Sequence, residues 1–181
     1  HIELLDLKDT TFTATFESDP ATGSYSAEVP AGREYAMHVT AEGFLPHSEH
    51  VDSAEASGEL RKDVSLTSVD PGSVEVLRNI HFAGNSAELE SVSMADLMQL
   101  RKFLLSHPSI RLQIAGHTDS DSGTEPNQRL SEQRAQVVMA WLVAHGIAQE
   151  RLEAKGYGAE QPVAPNDSPE HKALKRRTEI R

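Results

Sequence analysis

Ile114-Ala115-Gly116-His117-Thr118-Asp119, followed by Asn127-Gln128-Arg129-Leu130-Ser131-Glu132-Gln133-Arg134-Ala135, is the stretch whose reading decides the fold. An apolar run that stops at Gly-His-Thr-Asp reads as a buried strand ending in a turn. The second run has helical spacing, with Leu130, Val137, Val138, Trp141, Leu142 and His145 on one stripe, which predicts an amphipathic helix with that face inward. Arg134 falls on the same stripe. A guanidinium facing the body of a domain must be paired, because an isolated buried charge is too costly. Asp119, fifteen positions earlier, is its natural partner. Two readings follow: a structural ion pair, or two groups lining a shallow pocket whose ligand carries both an ammonium and a carboxylate.

Outward from this stretch, the second half alternates strand and helix. Val76 to Phe82 reads as a strand. Met94, Leu97, Leu100 and Leu104 mark the apolar face of a helix that Pro108 stops. Asn127 is the expected N-cap of the next helix, with Pro126 fixing its start and Gly146 its end. Arg151 to Tyr157 predicts a third strand. Lys172 to Lys175 gives a short helical turn, and Arg177 to Ile180 a last strand at the sheet edge. The pattern predicts a two-layer α/β sandwich, β-α-β-α-β plus an edge strand.

The first part has a different rhythm. Thr11 to Phe16, Tyr25 to Val29 and Tyr35 to Thr40 alternate with the two-residue period of half-buried strands, with a further strand near Leu60 to Leu66. Gly and Pro punctuate between them, so the expectation is a small antiparallel β-sandwich. Ser68-Val69-Asp70-Pro71-Gly72 is the turn-forming boundary. The whole is therefore α+β, with a sandwich at 1–70, a linker at 71–75 and the α/β unit at 76–181.

The chain has 181 residues, 38% hydrophobic and 25% charged, with a formal net charge of -11. The charge is uneven: residues 1 to 72 carry fourteen acids against four bases, and the remainder fourteen against thirteen. Neither half has the basic field that nucleic acid requires, and no apolar run reaches the ~18 residues of a transmembrane helix. Cysteine is absent, which excludes disulfides and thiolate metal sites. The chain opens inside an alternating segment rather than at a methionine, which predicts a piece of a longer, exported precursor.

Residues 76 to 180 resemble the OmpA-like peptidoglycan-binding domain, found also in peptidoglycan-associated lipoproteins and flagellar-motor anchors. The likeness runs through Asn79-Ile80-His81-Phe82, Asn85-Ser86-Ala87-Glu88-Leu89, Gly116-His117-Thr118-Asp119, Asn127, Leu130-Ser131, Arg134-Ala135, Gly156-Tyr157-Gly158, Asn166 and Arg176-Arg177-Thr178-Glu179-Ile180. The resemblance implies that Asp119 takes the ammonium and Arg134 the carboxylate at the free end of meso-diaminopimelate in the stem peptide. It further implies Thr118, Asn127, Phe82 and Asn85 as rim or supporting groups. It places the protein in the periplasm at the outer membrane of a Gram-negative envelope, without cofactor or metal, and with envelope partners bound by upstream regions. The sequence departs from the family's pattern at Ser122-Gly123, where the glycine comes one residue late, at Pro126, and at Lys175, where asparagine is usual. Residues 1–70 resemble the carboxypeptidase-regulatory-like fold through Gly23-Ser24-Tyr25, Val29 to Tyr35 and Ala41 to Phe44.

Two other functions compete. His117, Asp119 and Asp121 could be ligands of a metal-dependent wall hydrolase, but a second element with a completing ligand is missing at any recognised spacing. No nucleophile elbow or phosphate-cradling loop is present. The other alternative is a structural or protein-interaction module of the envelope that does not bind the wall.

Overall fold

The computed structural model describes residues 1–9, 11–53 and 58–181. Two four-stranded sheets form in turn along the chain. The first comprises β1 (Ile2–Asp6), β2 (Thr13–Phe16), β3 (Glu34–Val39) and β4 (His47–Asp52), in the order β2-β1-β3-β4 and antiparallel throughout. One face follows from the alternation: Ile2, Leu4, Tyr35, Met37, Val39 and Val51 are buried together. Phe12, Phe16, Tyr25, Val29, Val64 and Leu66 close over them. The expected strands at Tyr25–Val29 and Leu60–Leu66 are irregular chain instead. Their apolar residues cover the sheet face without a hydrogen-bonded partner strand, so alternation alone marked burial and not pairing. Conversely, β4 is a strand although its sequence, His-Ser-Glu-His-Val-Asp, carries one apolar residue.

The second sheet contains β5 (Glu75–Leu77), β6 (Leu112–Gly116), β7 (Leu152–Gly156) and β8 (Thr178–Ile180), in the order β5-β8-β6-β7. β6 and β7 are parallel, while β8 runs antiparallel to both β5 and β6. The last strand, expected at an edge, is therefore interior, and all three of its residues are buried. The expected strand from Val76 is short and ends at Leu77, after which Ile80 turns into the core. α1 (Met94–Ser106) and α2 (Thr124–Ala144) supply the second layer, with α3 (Pro169–Lys175) ahead of β8. The core gathers Leu97, Leu100, Leu104, Ile114, Val138, Leu142 and Ile180, each without solvent exposure. No helix among the described residues is long and apolar enough to cross a membrane.

α2 buries Asn127, Ser131, Ala135, Val138 and Leu142. This stripe lies one position round from the expected one, and Arg134 sits on its margin, half-buried. The reason is close approach. An added Cβ at Gly116 would collide with the Ser131 carbonyl, and one at Gly156 with the Glu132 backbone and the Ser131 hydroxyl. Small residues on the helix and glycines on the strand ends let α2 lie against the sheet where β6 and β7 finish. Gln128 Nε2 donates to Gly156 O (2.8 Å) and Gly158 N donates to Ser131 Oγ (2.9 Å), fixing the first turns there.

The two sheets meet through polar groups. The second face of β3 presents His38 to α1, where His38 Nε2 is 2.6 Å from Asp96 Oδ1. Ser48 Oγ donates to Asp96 Oδ2 at 2.5 Å, and Asn79 N and Nδ2 donate to the same carboxylate at 3.2 and 3.1 Å. Beside it, Glu75 is bonded by His47 Nδ1 (2.9 Å) and Thr67 Oγ1 (2.6 Å). Leu45, from the first part of the chain, is buried in the second core.

Candidate functional site

A cleft of about 430 Å³ opens beside β5 and β8, between the segment that follows β5, α2 and α3. Phe82, Asn85 and Arg134 line it, as do His117 and Arg176. Phe82 packs against the core from its half-buried position and pairs with Leu89 across an isolated bridge. Asn85 stands exposed at the rim with a positive φ of 53°, a conformation that asparagine tolerates better than most residues.

Arg134 lies across this Phe82 ring, its Cζ 4.9 Å from the centroid, and its Nε donates to Ser86 O at 2.9 Å. It does not pair with Asp119. Among the described residues no carboxylate stands within 4 Å of the Arg134 guanidinium. Burial first, then the neighbouring Arg176 charge, depress its pKa, and Asp119 offsets this in part. The group is cationic, half-desolvated and electrostatically unsatisfied.

Asp119 is held instead by Arg176, whose Nη1 donates to Oδ2 at 2.8 Å, while Asp121 N donates to Oδ1 at 3.1 Å. The reason lies in the segment that leads into β8. Lys175, buried, donates to Ser120 Oγ (2.6 Å) and Asn166 Oδ1 (2.9 Å), and Lys172 Nζ bonds Asp121 Oδ2 at 2.9 Å. Lys172 first, and Asn166 after it, hold the Asp121 carboxyl below the usual range. These contacts clamp residues 166–176 onto the 119–121 loop, which brings Arg176 to Asp119. The lysine at 175 thus fastens the loop with an ammonium.

Asn127 is not the helix cap. α2 starts three residues earlier, with Gly123 as N-cap at φ 77°, and the Asn127 side chain turns inward to donate from Nδ2 to Asp119 O at 3.0 Å. Gly123 supplies the positive φ at which the loop turns into the helix. Thr118 is buried, away from the cleft lining, and its amide donates to Gly158 O at 2.9 Å. Both residues position the aspartate from beneath and do not form the rim.

His117 is buried at the cleft wall, stacked on Tyr157 at 5.3 Å and 8°, with Nε2 3.3 Å from Glu179 Oε2. Burial raises the Glu179 pKa, but His117, Arg181 and Arg177 outweigh that and leave it at about 2. His117, Asp119 and Asp121 thus engage separate partners, and among the described residues no group of three or more acids and imidazoles is arranged to hold a metal.

Comparison with known proteins bears on this geometry. The model of the OmpA family matches residues 81–176. The chain belongs to the OmpA family. It is 36% identical over 106 residues to outer membrane porin F of Pseudomonas fluorescens, covering 59% of this chain and 32% of that protein. It is likewise 36% identical over 101 residues to the peptidoglycan-binding protein ArfA of Mycobacterium bovis, covering 56% and 31%. The crystal structure of the peptidoglycan-associated lipoprotein from Burkholderia pseudomallei superimposes with a TM-score of 0.53 at 31% identity, over 56% of this chain and 86% of that one. The chain thus spans about a third of the length of the two curated relatives. The OmpA-family segment contains all six expected site residues. The first sheet, β5 and Arg78 precede it, and β8 follows it.

Sequence reasoning missed Arg176 as the partner of Asp119, and Lys172, Lys175 and Asn166 as the clamp. The signal was present in the run Lys172-Ala173-Leu174-Lys175-Arg176-Arg177, four cations in six residues, of which Lys172 and Arg176 reach Asp121 and Asp119. No spacing rule links that run to a loop about fifty residues earlier.

Proposed function

We propose that this chain anchors an envelope protein to the cell wall by binding peptidoglycan non-covalently and without catalysis, through the free end of meso-diaminopimelate. The observation that carries this reading is the half-buried Arg134 guanidinium, which among the described residues has a ring and a carbonyl for partners but no carboxylate, at the mouth of a cleft beside Asp119. The ligand carboxylate lies in the two-pronged plane of the guanidinium. Its ammonium takes the place of Arg176 on the Asp119 carboxylate. Asn127 and Thr118 hold the aspartate loop in place, and Phe82 and Asn85 form the wall and rim against the aliphatic chain. The peptidoglycan-binding relative and the peptidoglycan-associated lipoprotein support the same ligand class.

The setting that fits is the periplasm of a Gram-negative envelope, at the outer membrane, with further regions of a longer protein binding envelope partners. Within it we assign residues 1–70 to a carboxypeptidase-regulatory-like unit, 71–75 to a linker and 76–181 to the wall-binding unit.

Titration calorimetry with alanyl-γ-glutamyl-meso-diaminopimelate and with alanyl-γ-glutamyl-lysine, in which the α-amine of each diamino acid is acylated, tests the proposal directly. Lysine has the same chain length to its amine but lacks the carboxylate at that end. Binding of the first and not the second is the expected result. Equal binding, or binding of neither, overturns it. Release of soluble muropeptides from a purified wall would transfer the site to a hydrolase.

A further inference from the structure

Among the described residues the cleft is lined by the guanidinium-bearing Arg78, Arg134, Arg176 and Arg177, and by no aspartate or glutamate. Two of these arginines are already neutralised: Arg177 Nε meets Glu179 Oε1 at 2.6 Å, and Arg176 meets Asp119. The other two are not. Arg134 is destined, on the peptidoglycan reading, for the carboxylate at the free end of diaminopimelate. Arg78 is exposed, and among the described residues no carboxylate pairs with it. It stands just after β5, at the end of the cleft that adjoins the first sheet, where it also borders a depression lined by His47, His50, Glu49 and Asp63, neither acid within ion-pair distance of it.

Like charges gathered on one cavity without acids repel one another, and an anion of matching extent relieves the repulsion. A zwitterionic amino-acid end supplies one carboxylate, which Arg134 consumes. A second free guanidinium along the same cleft calls for a second carboxylate at a distance from the first. The stem peptide carries one. Its glutamate is linked to diaminopimelate through the γ-carboxyl, so the α-carboxyl is left as an anion.

We propose that Arg78 forms a second carboxylate subsite in the cleft, taking the α-carboxylate of the γ-linked glutamate that adjoins diaminopimelate. This rests on the peptidoglycan reading and sharpens it: the site reads a dipeptide unit and not an isolated amino-acid end. A wall whose glutamate is amidated is then a poorer ligand than one whose glutamate is free. Because Arg78 lies outside the OmpA-family segment, beside the first sheet, the discrimination belongs to this chain's own arrangement.

The test is calorimetry of the whole chain with two synthetic tripeptides, alanyl-γ-glutamyl-meso-diaminopimelate and the same compound with the glutamate α-carboxyl amidated. The wild type should favour the acid by about fivefold, the size of one partly exposed charge pair, and salt should reduce the preference. Arg78→Ala should bind the two alike, and Arg78→Lys should recover part of the preference. Arg78 is exposed, so its removal leaves the fold intact, which circular dichroism checks. Equal binding of both tripeptides by the wild type, or a preference that survives in Arg78→Ala, overturns the subsite while leaving the diaminopimelate site standing. Failure of the wild type to bind either tripeptide removes both.

Discussion

The junction between the two sheets and the cleft beside α2 both take charge out of water, and they settle it in opposite ways. At the junction, Asp96 is fully buried and surrounded by donors from three other segments: His38 on β3, Ser48 on β4 and Asn79 between β5 and α1. Burial pushes its carboxyl up, and the bonds from His38, Ser48 and Asn79 more than reverse this and keep it ionised. In the cleft, Arg134 is half-desolvated with a backbone carbonyl and an aromatic face for company. The first arrangement is complete within the chain and leaves nothing for a ligand to add. The second is complete only with an external anion. Burial of charge alone therefore does not mark a site; burial with an unfilled partner does.

The largest expected effect comes from breaking the junction. Asp96→Ala leaves Ser48, Asn79 and His38 facing an emptied acceptor position in the interior, and should lower stability by about 3–5 kcal/mol. Urea unfolding of the whole chain measures it. A loss below about 1 kcal/mol would show that the two sheets are held by Leu45 and other apolar contacts and that the polar network is incidental. The matching experiment on the cleft should give the reverse profile. Arg134→Ala should cost about 2–4 kcal/mol of binding to meso-diaminopimelate with little change in the urea midpoint, and Arg134→Lys should restore little because an ammonium lacks the planar fork. If Arg134→Ala unfolds the protein as readily as Asp96→Ala does, Arg134 is a structural group and the contrast fails.

Sequence spacing carried the α/β unit well and the junction hardly at all. Met94 to Ser106 and Leu112 to Gly116 formed where periodicity placed them because each buries an apolar face, and Leu152 to Gly156 did so with Leu152 and Ala154 half-buried against the core. Arg134 was legible as a cation near the interior, since it breaks an otherwise apolar pattern. The partner of Asp119 was not. Asp119 pairs with Arg176 through a clamp whose members, Lys172, Lys175 and Asn166, join a loop about fifty residues away, and such contacts have no period. β4 escaped notice for a related reason. Its buried residues His47 and Ser48 are polar because they face Glu75 and Asp96 across the junction, so the strand lacks the apolar alternation that sequence reading depends on. The misplaced edge strand is the same lesson in the sheet: three residues at the end of the chain become interior only because β5, a hundred residues earlier, pairs with them.

Acid should separate the two regions again, by a smaller amount. Asp96 and Glu179 both have carboxyls depressed by native contacts, Glu179 from 4.5 to about 2. A depressed carboxyl contributes stability that is present in full above its unfolded value and is lost as pH falls toward the folded value. Stability should thus hold from pH 7 to about 4.5 and decline between there and pH 2, with Glu179 accounting for something on the order of 2 kcal/mol. Urea midpoints of the wild type and of Glu179→Gln across this range check it. The variant should start lower at neutral pH and show a shallower decline, and parallel curves would assign the acid sensitivity elsewhere.

The smallest expected effect is the most informative about the cleft. If the ligand ammonium displaces Arg176 from Asp119, the two cations compete for one carboxylate, and removing the resident should help the visitor. Arg176 is about half exposed at its side chain, 45%, and Asp119 is 14% exposed, so their pair is partly screened and modest in strength. Arg176→Ala should therefore tighten meso-diaminopimelate binding by about two- to fivefold, and Asp119→Asn should abolish that gain when combined with it. The clamp is retained in this variant because Lys175 and Lys172 fasten the loop independently of Arg176. A weaker affinity in Arg176→Ala would mean that the freed guanidinium, already close enough to depress Arg134, goes on to share the ligand carboxylate. Arg176 would then be a partner of the ligand and not its competitor, and the cleft would use two arginines where the proposed geometry uses one.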